Sequence, residues 1–224
     1  KAAPRFHSLL DEHRGGMFDG HTICACPSTE NNKGERLLSI VDHMMLPHIL
    51  KHILNEDEFL AEFGVRSLSK IHAHHKELGT LPGLGEAIIE YVPGESNSGM
   101  FGGNSNWRGP IWFPLNYSLI QALRKFHRYL GDGLKVRIPG KDKHIITLDE
   151  VAQLIAERLV KPFRLENGKR VSHPADSPFQ SQILFYEYFH AETGQGLGAS
   201  HQTGWTGLVA NLIAYLAGKG IPVV

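Results

Sequence analysis

Apolar residues recur at helical spacing in four segments of the chain, which predicts a largely helical protein. The clearest segment is Pro114–Leu130, with a proline in its first turn and Gly131 directly after it. That helix would make the sequon at Asn116 inaccessible to glycosylation. A second helix is predicted over Arg36–Asn55, where Pro47 should kink or split it because proline has no backbone N–H.

Two further helices are predicted nearer the C-terminal end. Thr147 and Glu150 have the spacing of a capping box, and an apolar stripe follows them as far as Pro162. The last helix should cover roughly Gly204–Ala217 and stop at Gly218.

Extended segments interrupt this helical pattern at two places. One is Ala87–Val92, and the other is a surface hairpin of Lys135–Ile138 and His144–Ile146 around a Pro-Gly turn. The sequence shows no internal repeat and no low-complexity tract. The pattern therefore predicts an all-α fold, a toroid or bundle with a small β-hairpin insertion, whose long Gly-, Asn- and Ser-rich loops carry the function.

The charge balance and composition of the chain argue against some classes of binding partner. Lys plus Arg and Asp plus Glu both number 23, so no net field attracts nucleic acid or an anionic membrane surface. No apolar run is long enough to span a membrane. Cys24 and Cys26 are too close in sequence for a disulfide scaffold, and reduced thiols suggest a cytoplasmic protein. Because the chain begins with Lys1, we expect it to be part of a longer polypeptide.

Histidines raise the question of a metal site. His72, His74 and His75 cluster, and His48 and His52 are one helical turn apart. Neither group has a neighbouring cysteine or carboxylate constellation that would complete a ligand set. We therefore expect no metal and no other cofactor.

The segment 102–114 has the side chains of a sugar-binding loop. Trp107 and Trp112 offer aromatic planes to the C–H faces of a pyranose, while Arg108 and the amides of Asn104 and Asn106 offer partners to its hydroxyls. The alternative is that both indoles belong to the core and Arg108 braces the helix start.

A second segment, 185–205, contains a candidate catalytic carboxylate. Glu187 lies among four aromatic residues, an environment that desolvates a carboxylate and suits a general base. The alternative is a solvated or Arg-paired glutamate. His201, Gln202 and Trp205 follow at a helix entry, where they could contact a ligand or cap the helix.

These two segments, Gly103–Trp112 and Glu187–Trp205, resemble the C-terminal region of glycoside hydrolase family 63. The resemblance extends over most of the chain and includes Glu56–Leu60 and Gly64–Leu68. It implies an (α/α)6 toroid that hydrolyses α-linked glucosides or related sugars with inversion of configuration.

The same resemblance implies the roles of individual residues. Glu187 occupies the position of the general base, because the family's Thr-Gly pair ends seven residues later at Gly194; Glu192 is the competing candidate. Trp107, Arg108 and Trp112 are implied to line the glucose pocket, with Trp205 as a neighbour.

One departure from the family pattern concerns the general acid. The family supplies an Asp from an upstream Asp-rich motif, and Asp11, Asp19 and Asp42 lack that setting. We therefore expect residues 1–224 to be the C-terminal part of a single toroid catalytic domain that needs the upstream remainder of its polypeptide and is nearly inert alone. The expected substrate is an α-glucoside or oligosaccharide. A non-catalytic carbohydrate-binding toroid and a purely structural helical scaffold are the alternatives.

Overall fold

The computed structural model describes residues 17–18, 21–22, 34, 37, 39, 41, 43–75, 77–81, 85–99, 105–140, 144–201 and 204–218. Four α-helices lie in these ranges: α1 Met45–Ile53, α2 Phe113–Leu130, α3 Leu148–Val160 and α4 Val209–Leu216. The described part of the chain is thus rich in helix. Cys24 and Cys26, like Asp11, Asp19 and Asp42, lie outside the described residues.

Short antiparallel hairpins connect the helices. In the described ranges they pair β1 Met17–Phe18 with β2 His21–Thr22, β3 Leu60–Ala61 with β4 Gly64–Val65, β5 Glu77–Leu81 with β6 Gly85–Ile89, β7 Lys135–Arg137 with β8 Ile145–Thr147, and β9 Tyr188–Phe189 with β10 Gly196–Leu197. The predicted hairpin is confirmed as β7–β8. The extended segment predicted at Ala87–Val92 is strand only as far as Ile89.

Helix α2 confirms the clearest prediction. Trp112 has extended backbone before the helix, proline occupies the first turn, and Gly131 ends the helix with a φ of 66°. Asn116 is buried on this helix, and its Oδ1 accepts a 2.7 Å hydrogen bond from the Val65 N–H while its Nδ2 donates to the Val65 carbonyl at 2.9 Å. The Asn116 amide therefore tethers β4 to α2 and is not open to a glycosyltransferase.

Helix α1 is shorter than predicted. It begins at Met45, so Pro47 lies in its first turn, where a missing N–H removes no helical hydrogen bond. The described residues of the predicted N-terminal half, Leu37, Ser39 and Val41, are not helical. The helix predicted over Arg36–Asn55, with a kink or split at Pro47, instead begins at Met45, and the proline lies in its first turn without a kink.

The ends of α3 and α4 follow their predicted signals. The Thr147 hydroxyl accepts from the Glu150 N–H at 3.3 Å, and the Glu150 carboxylate accepts from the Thr147 N–H at 2.7 Å, which is the predicted capping box. Helix α4 follows a 3-10 turn at Trp205–Leu208, and Gly218 comes after it with a φ of 68°.

The core lies where α3 packs against both α2 and α4. Fully buried side chains from α2, α3 and the loop before α2 fill it: Ile120, Leu123, Leu148, Val151, Ile155, Leu159, Ile111 and Phe113. The loop before α2 and the β9–β10 hairpin lie against this core, since Ile111 and Phe189 exchange backbone hydrogen bonds at 2.9 and 3.0 Å. In the described ranges, no helix combines the length and the apolar character needed to cross a membrane.

Candidate active site

Three aromatic rings from the two motifs form a continuous stack. Trp107 lies 3.9 Å from Trp112 with an interplanar angle of 2°, and Trp112 lies 4.7 Å from Tyr188 at 19°. Trp107 is 44% exposed, whereas Trp112 is only 2% exposed. Trp112 is therefore the middle layer of the stack, and Trp107 is the tryptophan of this loop that presents a ring face to the outside.

Asn106 fixes the loop that presents Trp107. Its Nδ2 donates to the carbonyls of Val92 and Gly94 at 2.8 and 2.7 Å, and its Oδ1 accepts from the Arg108 N–H at 2.9 Å. Its own carbonyl accepts from the Trp112 indole N–H at 2.8 Å, and the residue is 1% exposed. The Asn106 amide, which was predicted to bond sugar hydroxyls, thus bonds to backbone groups of its own and a neighbouring loop. Asn104 lies outside the described residues.

Arg108 lies inside the protein and is only 6% exposed. Its Nη2 donates to the Asn97 Oδ1 at 2.7 Å and to the Ser96 hydroxyl at 3.4 Å. Within the part of the chain that the structure covers, Nε and Nη1 of this guanidinium have no hydrogen-bond partner. Arg108 thus links its own loop to the loop at 96–97.

The Glu187 carboxylate joins the two motifs. Its Oε1 accepts a 3.3 Å hydrogen bond from the Ser105 hydroxyl, two residues before Trp107, and its Oε2 accepts from the Ala199 N–H at 3.4 Å. The side chain is half-buried, and among the described residues no lysine or arginine forms an ion pair with it. Among the described residues, the donors to this carboxylate are neutral.

Glu192, the competing candidate, has very different surroundings. Its Oε1 accepts from the Tyr91 hydroxyl at 2.6 Å and from Arg66 at 3.1 and 3.2 Å, and its Oε2 accepts from Lys70 at 3.3 Å. Burial acts to raise the pKa of Glu192, but the Tyr91 hydroxyl and the two cations outweigh it and hold that pKa below its usual value. The Glu192 oxygens accept from two cations and a phenol, whereas those of Glu187 accept from a hydroxyl and a backbone N–H.

The turn at 190–194 explains the Thr-Gly pair of the motif. The His190 Nδ1 accepts from the N–H groups of Glu192 and Thr193 at 3.2 and 3.3 Å, and burial lowers the pKa of His190 and so favours this neutral, accepting form. Gly194 closes the turn with a φ of 74°, and a Cβ there would lie 2.8 Å from the Phe63 ring. Only glycine fits both the conformation and the space.

The remaining predicted residues divide into two groups. Trp205 lies beside Glu187, because its indole N–H donates to the Glu187 carbonyl at 2.9 Å and its ring is 6.2 Å from that of Trp112. His201 is exposed, and its described side-chain contact is with Ser200 at 3.4 Å. Gln202 lies outside the described residues.

The histidine groups have local partners. The His52 Nδ1 bonds to Glu58 at 2.8 Å, and the His48 Nδ1 bonds to the Met44 carbonyl at 3.0 Å. His72 bonds to the His75 carbonyl at 3.1 Å. Among the described residues, no group of three or more His, Cys, Asp or Glu side chains could hold a metal ion.

Within the described residues, the hydrogen bond from Ser105 links the Glu187 carboxylate to the loop that carries Trp107 and Arg108. A comparison with protein families gives the class of protein to which the chain belongs. The model of the mannosylglycerate hydrolase MGH1-like glycoside hydrolase domain matches residues 37–206, which is most of the chain. The chain belongs to this glycoside hydrolase family.

Three curated relatives match half or more of the chain. The chain is 46% identical over 191 residues to uncharacterized protein YMR196W of Saccharomyces cerevisiae, covering 81% of this chain and 18% of that protein. It is 26% identical over 174 residues to a probable mannosyl-oligosaccharide glucosidase of Schizosaccharomyces pombe, covering 77% and 16%. A mannosyl-oligosaccharide glucosidase of Saccharomyces cerevisiae is 29% identical over 114 residues, covering 50% and 11%.

These matches confirm the resemblance to family 63 glycoside hydrolases. The chain spans less than a fifth of the length of the curated relatives it matches. The matched segment therefore belongs to a glycoside hydrolase domain family.

Proposed function

We propose that this chain forms part of the active site of an inverting glycoside hydrolase that cleaves α-glucosidic linkages, with Glu187 as the general base. The observation that carries the proposal is the 3.3 Å hydrogen bond from Ser105 to the Glu187 carboxylate. It joins the candidate base to the loop whose indole, Trp107, is exposed. Membership of a glycoside hydrolase family supports the same conclusion.

The proposed reaction is a single displacement. Glu187 takes a proton from water, and the water oxygen attacks the anomeric carbon from the face opposite the glycosidic oxygen. A carboxylic acid donates a proton to that departing oxygen, and in inverting enzymes the two carboxyl groups are about 6.5–9.5 Å apart. The acid in this proposal belongs to the polypeptide outside this chain, so the chain alone is expected to be nearly inert.

The aromatic stack provides the platform for the sugar. The outer face of Trp107 would contact the C–H face of a pyranose, while Nε and Nη1 of Arg108 would donate to its oxygens. Trp112 would support the inner face of Trp107. Trp205, His201 and Gln202, which follow Glu187 along the chain, would also contact the substrate. Relatives named as mannosyl-oligosaccharide glucosidases support an α-glucoside or oligosaccharide as substrate.

For the fold we propose that the chain is the C-terminal part of an (α/α)6 toroid. The packing of α3 against α2 and α4 supports this arrangement, since adjacent helices pack side by side in such a ring. The loops that precede α2 and α4 would then lie at one end of the ring, where they form the site described above.

The direct test is a Glu187→Gln change in the intact polypeptide that carries this sequence. Glutamine keeps the shape but cannot accept the water proton, so kcat for 4-nitrophenyl α-glucoside should fall about 1000-fold. Glu62→Gln, at an exposed glutamate far along the chain from both motifs, serves as the matched control and should keep the parental rate.

Two results would contradict the proposal. One is a near-parental rate in Glu187→Gln. The other is a parental protein that binds glucosides, measured by quenching of tryptophan fluorescence, without any turnover, because this result would indicate a carbohydrate-binding protein without catalysis. Loss of turnover in a folded Glu192→Gln variant with full activity in Glu187→Gln would move the base to Glu192.

A further inference from the structure

We propose that Gly198 and Ser105 are positioning residues that set the orientation of the Glu187 carboxylate from two sides. This inference rests on the proposed function, since it concerns how the candidate base is held. Neither residue would touch the sugar in this account. Both would act on the reaction only through Glu187.

The β9–β10 hairpin places Gly198 next to Glu187. Leu197 pairs with Tyr188 in the ladder, and the Glu187 N–H donates to the Leu197 carbonyl at 3.2 Å. Glu187 directly precedes one strand and Gly198 directly follows the other. The antiparallel register therefore brings these two residues to the same end of the hairpin.

At this end the carboxylate occupies the space that a side chain at 198 would need. A Cβ on Gly198 would lie 2.5 Å from the Glu187 Oε2, 2.8 Å from its Cβ and 3.1 Å from the Tyr188 Cε1. Two of these distances are shorter than van der Waals contact permits. Any residue other than glycine would have to displace the Glu187 side chain or the hairpin itself.

Each carboxylate oxygen also receives one donor from a different loop. The Ala199 N–H, immediately after Gly198, donates to Oε2 at 3.4 Å, and the Ser105 hydroxyl donates to Oε1 at 3.3 Å. An ionised carboxylate has about four lone-pair directions, so one donor on each oxygen fixes the group and leaves directions open for a water molecule. Removal of either constraint should misalign the base without altering the sugar platform at Trp107.

The backbone conformation at Gly198 also requires glycine. The experiment must therefore distinguish conformational strain from the clash with Glu187. Gly198 has a φ of +70°, where any side chain is strained. Gly168 has nearly the same φ, +75°, and a Cβ there would meet nothing within 4 Å. Gly168→Ala therefore carries the conformational strain of Gly198→Ala without the clash with Glu187.

The experiment compares kcat and KM for 4-nitrophenyl α-glucoside in four variants of the intact polypeptide. Gly198→Ala should lower kcat roughly 100-fold with KM changed less than about threefold, because a misplacement of about 1 Å at a reacting group has this effect on rate. Gly168→Ala should lose thermal stability while keeping kcat. Ser105→Ala should lower kcat roughly tenfold, as expected for a lost hydrogen bond to a charged group, and Ser105→Thr, which keeps the hydroxyl, should restore most of it.

Three outcomes would overturn the inference: parental kcat in Ser105→Ala, parental kcat in a folded Gly198→Ala, or equal loss of kcat in Gly198→Ala and Gly168→Ala. Should Gly198→Ala fail to fold, the Ser105 pair decides the matter. Loss of activity in Glu187→Gln with parental kcat in Gly198→Ala and Ser105→Ala would reject the positioning residues and leave the base in place. Parental activity in Glu187→Gln would reject the proposed function itself.

Discussion

At the scale of single residues, the two glutamates of one motif differ in what they bond. Glu187 has neutral donors on its oxygens, a hydroxyl from Ser105 and an amide N–H from Ala199. Glu192 has two cations and a phenol. A base must exchange protons with water, and a carboxylate whose oxygens are all occupied by Arg66, Lys70 and Tyr91 is suited to holding the structure together.

We predict that Glu192→Gln lowers the free energy of unfolding by about 2 kcal/mol at pH 7, because it leaves the Arg66 guanidinium, 4% exposed in its side chain, without its carboxylate. The measurement is urea unfolding of the purified polypeptide. The pKa of Glu192 is lower in the folded protein than its ordinary 4.5, so its contribution is present above that pH and is lost as pH falls below it. The difference between parent and variant should therefore shrink in acid.

Glu62→Gln provides the control for this prediction. Glu62 forms an ion pair with Lys161 at 3.3 Å, but 64% of its side chain is exposed. Such a surface pair should contribute less than about 1 kcal/mol. Equal destabilisation by Glu192→Gln and Glu62→Gln would contradict the role assigned to the Arg66–Glu192 pair.

Sequence reasoning identified the types of residue at the site better than their individual tasks. The aromatic surroundings of Glu187 could be read directly from its neighbours in sequence. The contacts of Asn106 and Trp112 could not be predicted in this way, because the sequence does not show whether an amide or an indole in a loop bonds to backbone or to a ligand. Ser105 and Gly198 matter only through contact with Glu187, and such long-range contacts leave no local periodicity.

At the scale of elements, the helices with strong end signals were predictable and the short strands were not. Helix α2 has proline at its start and Gly131 at its end, and α3 has its capping box. Strands β3, β4, β9 and β10 contain two residues each, too few for an alternating pattern to be visible. Pro47 was a correct signal of interruption, but sequence alone did not show that the helix begins beside it.

Asn116 offers a test of how these elements are held together. We predict that Asn116→Leu lowers the free energy of unfolding by about 2 kcal/mol or more, since both the N–H and the carbonyl of Val65 lose their side-chain partner. Asn211→Leu is the matched control, because Asn211 is exposed on α4 and donates one 3.3 Å bond to Tyr117. An equal loss of free energy of unfolding in both variants, measured in urea, would contradict the role of Asn116 in linking β4 to α2.

At the scale of the whole molecule, the chain matches less than a fifth of the length of its curated relatives. Its formal net charge is zero, which fits a neutral substrate such as a sugar better than a polyanion. Its 46% identical relative is more than five times as long as the matched segment, which covers 18% of it. The sequence could therefore predict the family, while the roles proposed for Glu187 and for a general acid outside this chain stay predictions.

The most direct measurement of the central claim is proton NMR of the first sugar released from 4-nitrophenyl α-glucoside by the intact polypeptide. If Glu187 activates water for a single displacement, the first product is β-glucose, and α-glucose appears only later by mutarotation. Initial release of α-glucose would contradict inversion, and with it the role of Glu187 as the base that activates water.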